Sequence, residues 1–288
     1  MSTELELDEL RALVERRAGI HLDTTRDRFL AARVREHMEE RGIATAKELL
    51  GRVRRSNFEY ETLLERLLTQ ETSFFRYPSV FEALRDSVLK EMHARKFWEN
   101  PRTLRVWSAG CATGEEAYSI AITIAETLMF VEAWDIEILA TDISASALRR
   151  AEQAVYPRRA LAALTPEQLE AHFTKAPGAD HWKVRPRLRR MVRVAPMNLA
   201  EPVYAGRMDL IFCMNVMIYF TEERRKALVR AFCDILNPGG YLVLGHAESL
   251  ASCPVRLESL RHGDSLLYRK PLGSTNDAPK AMALEKSS

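Results

Sequence analysis

The spacing of apolar residues divides the chain into a helical first part and a longer part in which strands and helices alternate. Leu7, Leu10 and Val14 recur at the spacing of one helix face. Residues 29–41 and 63–68 continue the helical pattern, with no strand pattern between them. Farther along the chain, short apolar runs typical of buried strands alternate with longer helical stripes. This alternation predicts a parallel sheet that carries helices on both faces.

The predicted elements of the second part follow one another at short intervals. A helix is expected after Pro78, with Phe81, Leu84, Val88 and Met92 on one face. The strands are expected at residues 104–107, 136–140, 209–214 and 241–245, and the later helices at residues 115–130, 144–154 and 222–236.

One stretch interrupts this rhythm. A short helix is expected to begin at Thr165, with Pro166 in its first turn and Gln168 placed to complete a capping box. Residues 182–194 then alternate between apolar and polar positions, as in a half-buried strand. The basic residues of this stretch would share one strand face: Lys183, Arg185, Arg187 and Arg189. We therefore expect a small antiparallel subdomain inserted at about residues 157–198.

These patterns predict three segments. Residues 1–70 are expected to form an all-α N-terminal domain, and residues 71–272 an α/β domain that contains the insertion. Residues 273–288 are rich in small and polar side chains, and we expect them to form a loose tail.

Composition and charge narrow the class of protein. The 288 residues are 47% hydrophobic and 28% charged, which is typical of globular domains and excludes a disordered, collagenous or rod-like chain. The formal net charge of +2 argues against a general binder of nucleic acid. The four cysteines form no C-x-x-C pair, so we expect reduced thiols and no metal site. An acidic first segment and a short apolar stretch at residues 210–220 predict a cytoplasmic protein without membrane insertion.

The loop after the first predicted strand combines glycines with carboxylates. Gly110 and Gly114 allow the backbone to approach a ligand closely, and a helix is expected to begin directly after them. The loop lacks the G-x-G-x-x-G spacing that seats a pyrophosphate on a helix N-terminus. Glu115 and Glu116 would repel a pyrophosphate and suit a cation, although glutamates in a first helical turn also complement the helix dipole.

Two further strand ends carry side chains that suit a nucleoside ligand. Asp142 ends the second predicted strand, where an acid can bind both hydroxyls of a ribose, while Ser144 is the better helix cap. Asn215 follows an apolar strand, and its amide needs partners that either a ligand or a strand-end turn would supply. Because ligands bind at the carboxyl ends of parallel strands, the three loops together fit a cationic adenosine ligand such as S-adenosylmethionine.

Aromatic residues near these loops suit a sulfonium ion, which is attracted to the face of an aromatic ring. The candidates are Phe74, Phe75, Tyr77 and Tyr219. Phe74 and Phe75 fit plain core packing between the two domains at least as well. Arg76 suits either the carboxylate of the ligand or an anionic acceptor.

Six motifs occur in a fixed order over roughly residues 10–270. They are Thr72-Ser73-Phe74-Phe75-Arg76, residues 106–119 (VWSAGCATGEEAYS), Ala140-Thr141-Asp142-Ile143, Asn198-Leu199, residues 211–220 (IFCMNVMIYF), and Pro238-Gly239-Gly240 ahead of Leu244-Gly245-His246. In this order they resemble the CheR family of chemotaxis receptor methyltransferases. The resemblance implies a Rossmann-like class I methyltransferase domain with a small inserted antiparallel β-subdomain, preceded by an all-α N-terminal domain.

The resemblance also implies a cofactor and a reaction. The cofactor S-adenosylmethionine (product S-adenosylhomocysteine) would be bound by Gln70, Thr72, Arg76, Gly110, Glu116, Asp142, Asn198, Leu199, Met214 and Asn215. Arg76 and Tyr219 would lie near the transferred methyl group and act in catalysis. The acceptor would be a glutamate side chain on the cytoplasmic helices of a chemoreceptor. Since that carboxylate is ionised at neutral pH, no general base is required.

Three positions depart from the family pattern. The family often has Asn where Gln70 stands, and it usually has Arg where Met214 stands. Its His-Ser-Glu-Asn is His246-Ala247-Glu248-Ser249 here. These departures leave two alternatives open: a methyltransferase for another substrate, and a cofactor-binding regulatory module with weak or lost catalysis.

Two basic surfaces are candidates for contact with the acidic receptor helices. One lies on the second predicted helix region, with Arg26, Arg28, Arg33, Arg35 and Arg41, and the other is the strand face of the insertion. Charge complementarity would orient the receptor. A solvated helix face and a protected edge strand explain the same charges without a partner. Whether the insertion grips a receptor peptide stays open, and we expect a monomer that binds no nucleic acid.

Overall fold

The helical first part is a small domain of packed helices. The computed structural model describes residues 2–22, 27–68, 70–99, 101–176, 180–201 and 206–273. The first helices are α1 (Ser2–Ala18), α2 (Asp27–Glu40), α3 (Ala46–Arg55) and α4 (Asn57–Leu67). Fully buried side chains such as Leu10, Leu49 and Leu63 form their common core. Thr45 and Ser56 cap α3 and α4, since each side chain accepts a hydrogen bond from the third following N–H. The predicted all-α N-terminal domain is confirmed.

Within the described residues, the second part contains ten strands. They are β1 (Arg102–Ala109), β2 (Trp134–Asp142), β3 (Val155–Pro157), β4 (Phe173–Lys175), β5 (His181–Val184), β6 (Val192–Pro196), β7 (Met208–Cys213), β8 (Leu236–Leu244), β9 (Glu258–His262) and β10 (Ser265–Arg269). Seven of them form one sheet in the order β6-β2-β1-β7-β8-β10-β9. The strands from β6 to β8 are parallel, and the β9–β10 hairpin adds antiparallel to β8.

The helices of the second part precede β1 or lie between later strands. They are α5 (Pro78–Ala83), α6 (Leu89–Lys96), α7 (Glu115–Thr127), α8 (Ala145–Gln153), α9 (Pro166–His172), α10 (Pro186–Arg189) and α11 (Glu222–Ile235), and a π-helical turn (Leu84–Val88) joins α5 to α6. Successive side chains of a strand face opposite sides of the sheet. Val106 on β1 therefore packs in one core with Ile120 of α7, while Trp107 packs against Phe232 of α11, with ring centres 5.3 Å apart. The predicted α/β arrangement with helices on both faces is confirmed.

The small sheet is antiparallel, with the strand order β3-β5-β4. The capping box of α9 is present as predicted, because Thr165 and Gln168 each accept a hydrogen bond from the other's backbone N–H. The strands of the small sheet lie between Val155 and Val184. The insertion was expected at about residues 157–198, but β6, which falls in that range, pairs with β2 in the large sheet. The domain limits stay predictions, and residues 274–288 of the expected tail lie outside the described residues.

The predicted basic strand face is wrong beyond Lys183. β5 ends one residue later, and Pro186 begins α10 with Arg185 as its N-cap. Proline has no N–H to donate to a sheet, and its fixed φ suits the first turn of a helix. Arg187 and Arg189 therefore lie on a helical turn. The alternating stretch combined parts of three elements, so periodicity alone suggested one long strand.

Candidate cofactor site

The carboxyl ends of the parallel strands meet beside one cavity. The chain continues from β1 to β2 on one side and later to β7 on the other, and such a switch point opens a crevice at this edge of the sheet. Loops after β1, β2, β6 and β7 line the cavity, whose empty volume is about 1000 Å³ with the space open to solvent included. The residues that the family resemblance implied for cofactor binding and catalysis all line it: Gln70, Thr72, Arg76, Gly110, Glu116, Asp142, Asn198, Leu199, Met214, Asn215 and Tyr219.

Asp142, at the end of β2, is held by backbone groups on two loops. Its Oδ2 accepts a hydrogen bond from the N–H of Ala112 and its Oδ1 from the N–H of Ser144, both at 2.9 Å. Burial raises the pKa of Asp142, and these two hydrogen bonds partly oppose the rise. The Ser144 hydroxyl caps α8 by accepting from the N–H of Ala147, as predicted. Each carboxylate oxygen of Asp142 therefore keeps acceptor capacity for a ligand hydroxyl.

Glu116 brings a second carboxylate to the cavity wall. Its Oε1 accepts a hydrogen bond from the Ser108 hydroxyl at 2.6 Å. Burial raises the pKa of Glu116 to about 7, although Ser108 and Arg76 act to lower it. A positively charged ligand group beside this carboxylate would favour its ionised form. Glu115, its neighbour, is buried and accepts from the Thr113 hydroxyl at 2.6 Å instead.

Asn215 presents a buried amide oxygen that lacks a partner. The residue follows β7 with φ of 61°, in the left-handed region that asparagine tolerates better than most residues. Within the described part of the chain, no group donates a hydrogen bond to its Oδ1. A buried polar atom of this kind needs a donor, and a ligand in the cavity would supply one. Together with the carboxylates of Glu116 and Asp142, this atom fits a cofactor that carries hydroxyl, amino and cationic groups, as S-adenosylmethionine does.

The N-terminal domain covers the cavity. Ala18, Ile20 and Leu68 add apolar lining to the polar loops of the sheet. The backbone N–H of His21 donates to the carbonyl of Tyr219 at 2.5 Å, which ties the domain to the loop after β7. Sequence patterns did not indicate these three residues, because Ala18 ends α1 while Ile20 and Leu68 follow helix ends, all ordinary core or turn positions.

Two side-chain links fasten the domains on either side of the cavity. Asn198 donates from Nδ2 to the carbonyl of Arg17 at 3.1 Å, so its amide is engaged with the N-terminal domain. Glu65 of α4 accepts from the Ser144 hydroxyl at 2.6 Å and from the Ser146 N–H at 2.9 Å. Burial acts to raise the pKa of Glu65, but these hydrogen bonds outweigh it and the pKa is lowered. Glu65 thus holds the start of α8 beside the Asp142 loop, a contact between domains that local sequence does not reveal.

The aromatic candidates lie in two environments, the cavity wall and the packed core. Tyr219 lines the cavity, whereas Phe74, Phe75 and Tyr77 are not among its described lining residues. Phe74 is fully buried and packs edge-to-face on Tyr156, with ring centres 5.0 Å apart. Core packing is therefore the correct interpretation for Phe74.

Arg76 lies in a tight loop between α4 and α5. Its Nη1 donates to the carbonyl of Glu71 at 2.7 Å, and its guanidinium carbon lies 5.4 Å from the ring centre of Tyr77. Phe75 and Tyr77, on either side, have φ of 51° and 63°. Such left-handed conformations are unfavourable for bulky residues and are concentrated at functional sites. The loop turns the Arg76 side chain to the cavity while Phe75 and Tyr77 pack elsewhere.

Comparison with protein families gives an independent view of the same regions. Residues 5–68 match the family model described as the all-alpha domain of CheR methyltransferase, and residues 70–263 match its SAM binding domain. This chain belongs to the CheR methyltransferase family. All the residues that were predicted to bind S-adenosylmethionine lie within residues 70–263, the part of the chain that matches the SAM binding domain.

Relatives in the CheR family align with nearly the whole chain. Chemotaxis protein methyltransferase 1 of Pseudomonas aeruginosa is 32% identical to it over 92% of this chain and 97% of its own length. The chemotaxis protein methyltransferase of Vibrio parahaemolyticus is 33% identical over 93% and 97%, and that of Borreliella burgdorferi is 31% identical over 86% and 89%.

Met214, one of the positions expected to depart from the family pattern, is buried in the core and also lines the cavity. It contributes an apolar surface to the cavity wall.

Across the part of the chain that the structure describes, no helix is long and apolar enough to cross a membrane. Among the same residues, no cluster of His, Cys, Asp and Glu is arranged to hold a metal ion.

Proposed function

We propose that the protein methylates glutamate side chains on the cytoplasmic helices of chemoreceptors, with S-adenosylmethionine as methyl donor. This reaction would serve adaptation in chemotaxis-type signalling. The names of its relatives refer to methyl transfer in chemotaxis, and this chain aligns with nearly their full length. We also propose that it acts in the cytoplasm and as a monomer.

Charge around the cavity is the observation that carries the proposal. Glu116 and Asp142 line the same cavity as Arg76. A cationic donor matches the two carboxylates, and an anionic acceptor matches the guanidinium, which binds carboxylates through two parallel hydrogen bonds. The two reactants would then be held side by side by groups of opposite charge.

The proposed reaction requires mainly that the protein hold the methyl donor and the acceptor in the right relative position. When bound, S-adenosylmethionine supplies an electrophilic methyl group on a positively charged sulfur. The glutamate carboxylate is ionised at neutral pH and is already a nucleophile, so a direct in-line displacement needs no general base. Arg76 would orient the acceptor and Tyr219 would border the transfer site, and holding two reactants in line accounts for most of the rate gain in such reactions.

The α2 surface is the proposed receptor contact. Arg28 and Arg35 are exposed on this helix. Arg33 forms an ion pair with Glu36, with a nitrogen–oxygen distance of 2.8 Å, and Arg41 forms one with Glu59. The set predicted from the sequence also contains Arg26, which lies outside the described residues. The exposed arginines would attract the acidic receptor helices and orient them toward the cavity.

Labelled methyl transfer tests the proposal. The protein is incubated with methyl-labelled S-adenosylmethionine and receptor cytoplasmic fragments that carry either Glu or Gln at the candidate positions. We expect label on the Glu fragment and none on the Gln fragment. The label should leave as volatile methanol in mild alkali, since carboxyl methyl esters hydrolyse under these conditions. Alkali-stable label, or equal label on both fragments, would instead support a methyltransferase for another type of acceptor.

A further inference from the structure

The Glu248 side chain, in the loop after β8, accepts four backbone hydrogen bonds. Its Oε2 accepts from the N–H groups of Asn215 at 2.9 Å and Gly245 at 2.8 Å. Its Oε1 accepts from those of Val216 at 3.0 Å and Met217 at 2.7 Å. Four donors fill the hydrogen-bonding capacity of a carboxylate. Glu248 therefore fixes the backbone at the start of the loop after β7. It is not among the described residues that line the cavity.

The segment that Glu248 holds, residues 215–217, also packs against the loop after β1. Val216 packs so closely on Gly110 that a Cβ at Gly110 would lie 2.3 Å from its Cγ2. Gly245 leaves room for the carboxylate, because a Cβ there would lie 2.8 Å from Oε2 of Glu248 and 2.9 Å from the N atom of Asn215. A segment fixed on two sides can hold Asn215 in its left-handed conformation.

We propose that Glu248 is a positioning residue that aims the Asn215 amide, and through the same loop Tyr219, into the cavity. The inference rests on the proposed function for the roles of those two residues. Among the described residues, Glu248 accepts hydrogen bonds from backbone N–H groups, so it reaches the ligand through the loop that carries Asn215. Its negative charge also acts to raise the pKa of Glu116, an effect that does not depend on Asn215. Glutamine at this position keeps the volume but offers one oxygen to the four donors, and its NH2 group faces two of them. Glu248→Gln should therefore loosen the loop without emptying the space.

A double-mutant cycle on cofactor affinity tests this coupling. Asn215→Gly removes the amide and still tolerates a φ of 61°. We expect Asn215→Gly to weaken S-adenosylmethionine binding about tenfold in the wild-type background and about twofold or less in the Glu248→Gln background. Equal losses in the two backgrounds would overturn the proposal, because Glu248 would then act independently of Asn215.

Controls separate positioning from general destabilisation. Glu258→Gln, an exposed change on β9, should alter neither affinity nor the coupling. If Glu248→Gln does not fold, Gly245→Ala disturbs the same contacts from the other side with the carboxylate retained, and it should show the same coupling to Asn215→Gly. Cofactor affinity needs no acceptor, so the cycle has a result even if receptor fragments are not methylated. Coupling between the two changes without methylation would support the positioning role and refute the proposed function, whereas additive losses with normal methylation would do the reverse.

Discussion

Replacing Glu116 by glutamine should weaken cofactor binding and at the same time stabilise the unliganded protein. Burial raises the pKa of this carboxyl from 4.5 to about 7. At about 1.4 kcal/mol per pKa unit, the ionised form costs up to about 3.5 kcal/mol of stability, an upper bound because part of the side chain faces the open cavity. Since the pKa is higher in the folded state, this cost accumulates between about pH 4.5 and 7 and is complete above pH 7.

The same carboxylate should make cofactor binding depend on pH. If the ionised form pairs with a cationic group of S-adenosylmethionine, a pKa of about 7 makes wild-type affinity about eightfold higher at pH 7.5 than at pH 6. Glu116→Gln should remove this dependence. It should also weaken binding at pH 7.5 by about tenfold to a hundredfold, since a hydrogen bond to a charged group is worth about 1.5–3 kcal/mol.

Calorimetry measures both effects. Titrations with S-adenosylmethionine at pH 6 and 7.5, in buffers of different ionisation enthalpy, give the affinity and the number of protons released on binding. The matched control is Glu115→Gln, because Glu115 is a buried neighbour that is bonded to Thr113 and is absent from the described cavity lining. Unchanged affinity in Glu116→Gln, or proton release that persists in it, would refute the electrostatic role of Glu116.

Three further predictions concern the acceptor side, the ribose side and the receptor. Arg76→Ala should lose most methyl transfer while thermal unfolding stays near wild type; full activity in a purified assay would remove its role. Asp142→Ala should lose detectable S-adenosylmethionine binding by calorimetry, whereas wild-type affinity would show that the ribose lies elsewhere. The double change Arg33→Glu with Arg35→Glu should weaken receptor methylation at least about fivefold and leave cofactor affinity unchanged. Equal loss of both would indicate misfolding.

The part of the site on the sheet could be predicted because its signals are local. A strand in a parallel sheet ends where its apolar run ends, so the sequence alone predicts Asp142 and Asn215 at the same edge. The loop after β1 is marked by two glycines and by the carboxylate of Glu116. Each of the three polar residues indeed lines the cavity.

The contacts that hold the site together could not be predicted, because they join segments far apart in the chain. Glu65 bonds to Ser144 and Ser146 from another domain, and Glu248 reaches back to Asn215. A glutamate on a helix or in a polar loop is by default a solvated surface residue, so nothing local distinguishes these two. Their roles depend on the packing of the complete chain.

The error at the basic strand has a different origin. Residues 182–194 alternate between apolar and polar positions with the period of a strand, which led to the prediction of one strand. The stretch contains Pro186, however, and proline favours the first turn of a helix. The structure splits the stretch into β5, α10 and β6. Of the four residues predicted for the basic strand face, Lys183 lies on β5, Arg185 is the N-cap of α10, and Arg187 and Arg189 lie on α10. A peptide-binding role for one continuous basic strand therefore loses its geometric basis.

The most direct test of the account is to map the modified residue itself. A receptor cytoplasmic fragment is incubated with the protein and S-adenosylmethionine, digested, and sequenced by tandem mass spectrometry, with the Arg76→Ala variant alongside. We predict the added mass of one CH2 group on individual glutamate side chains, absent from the Gln-substituted fragment and strongly reduced with the variant. A methyl group on lysine, arginine or a chain terminus, or a fragment left unmodified by a protein that binds S-adenosylmethionine, would contradict the proposed activity.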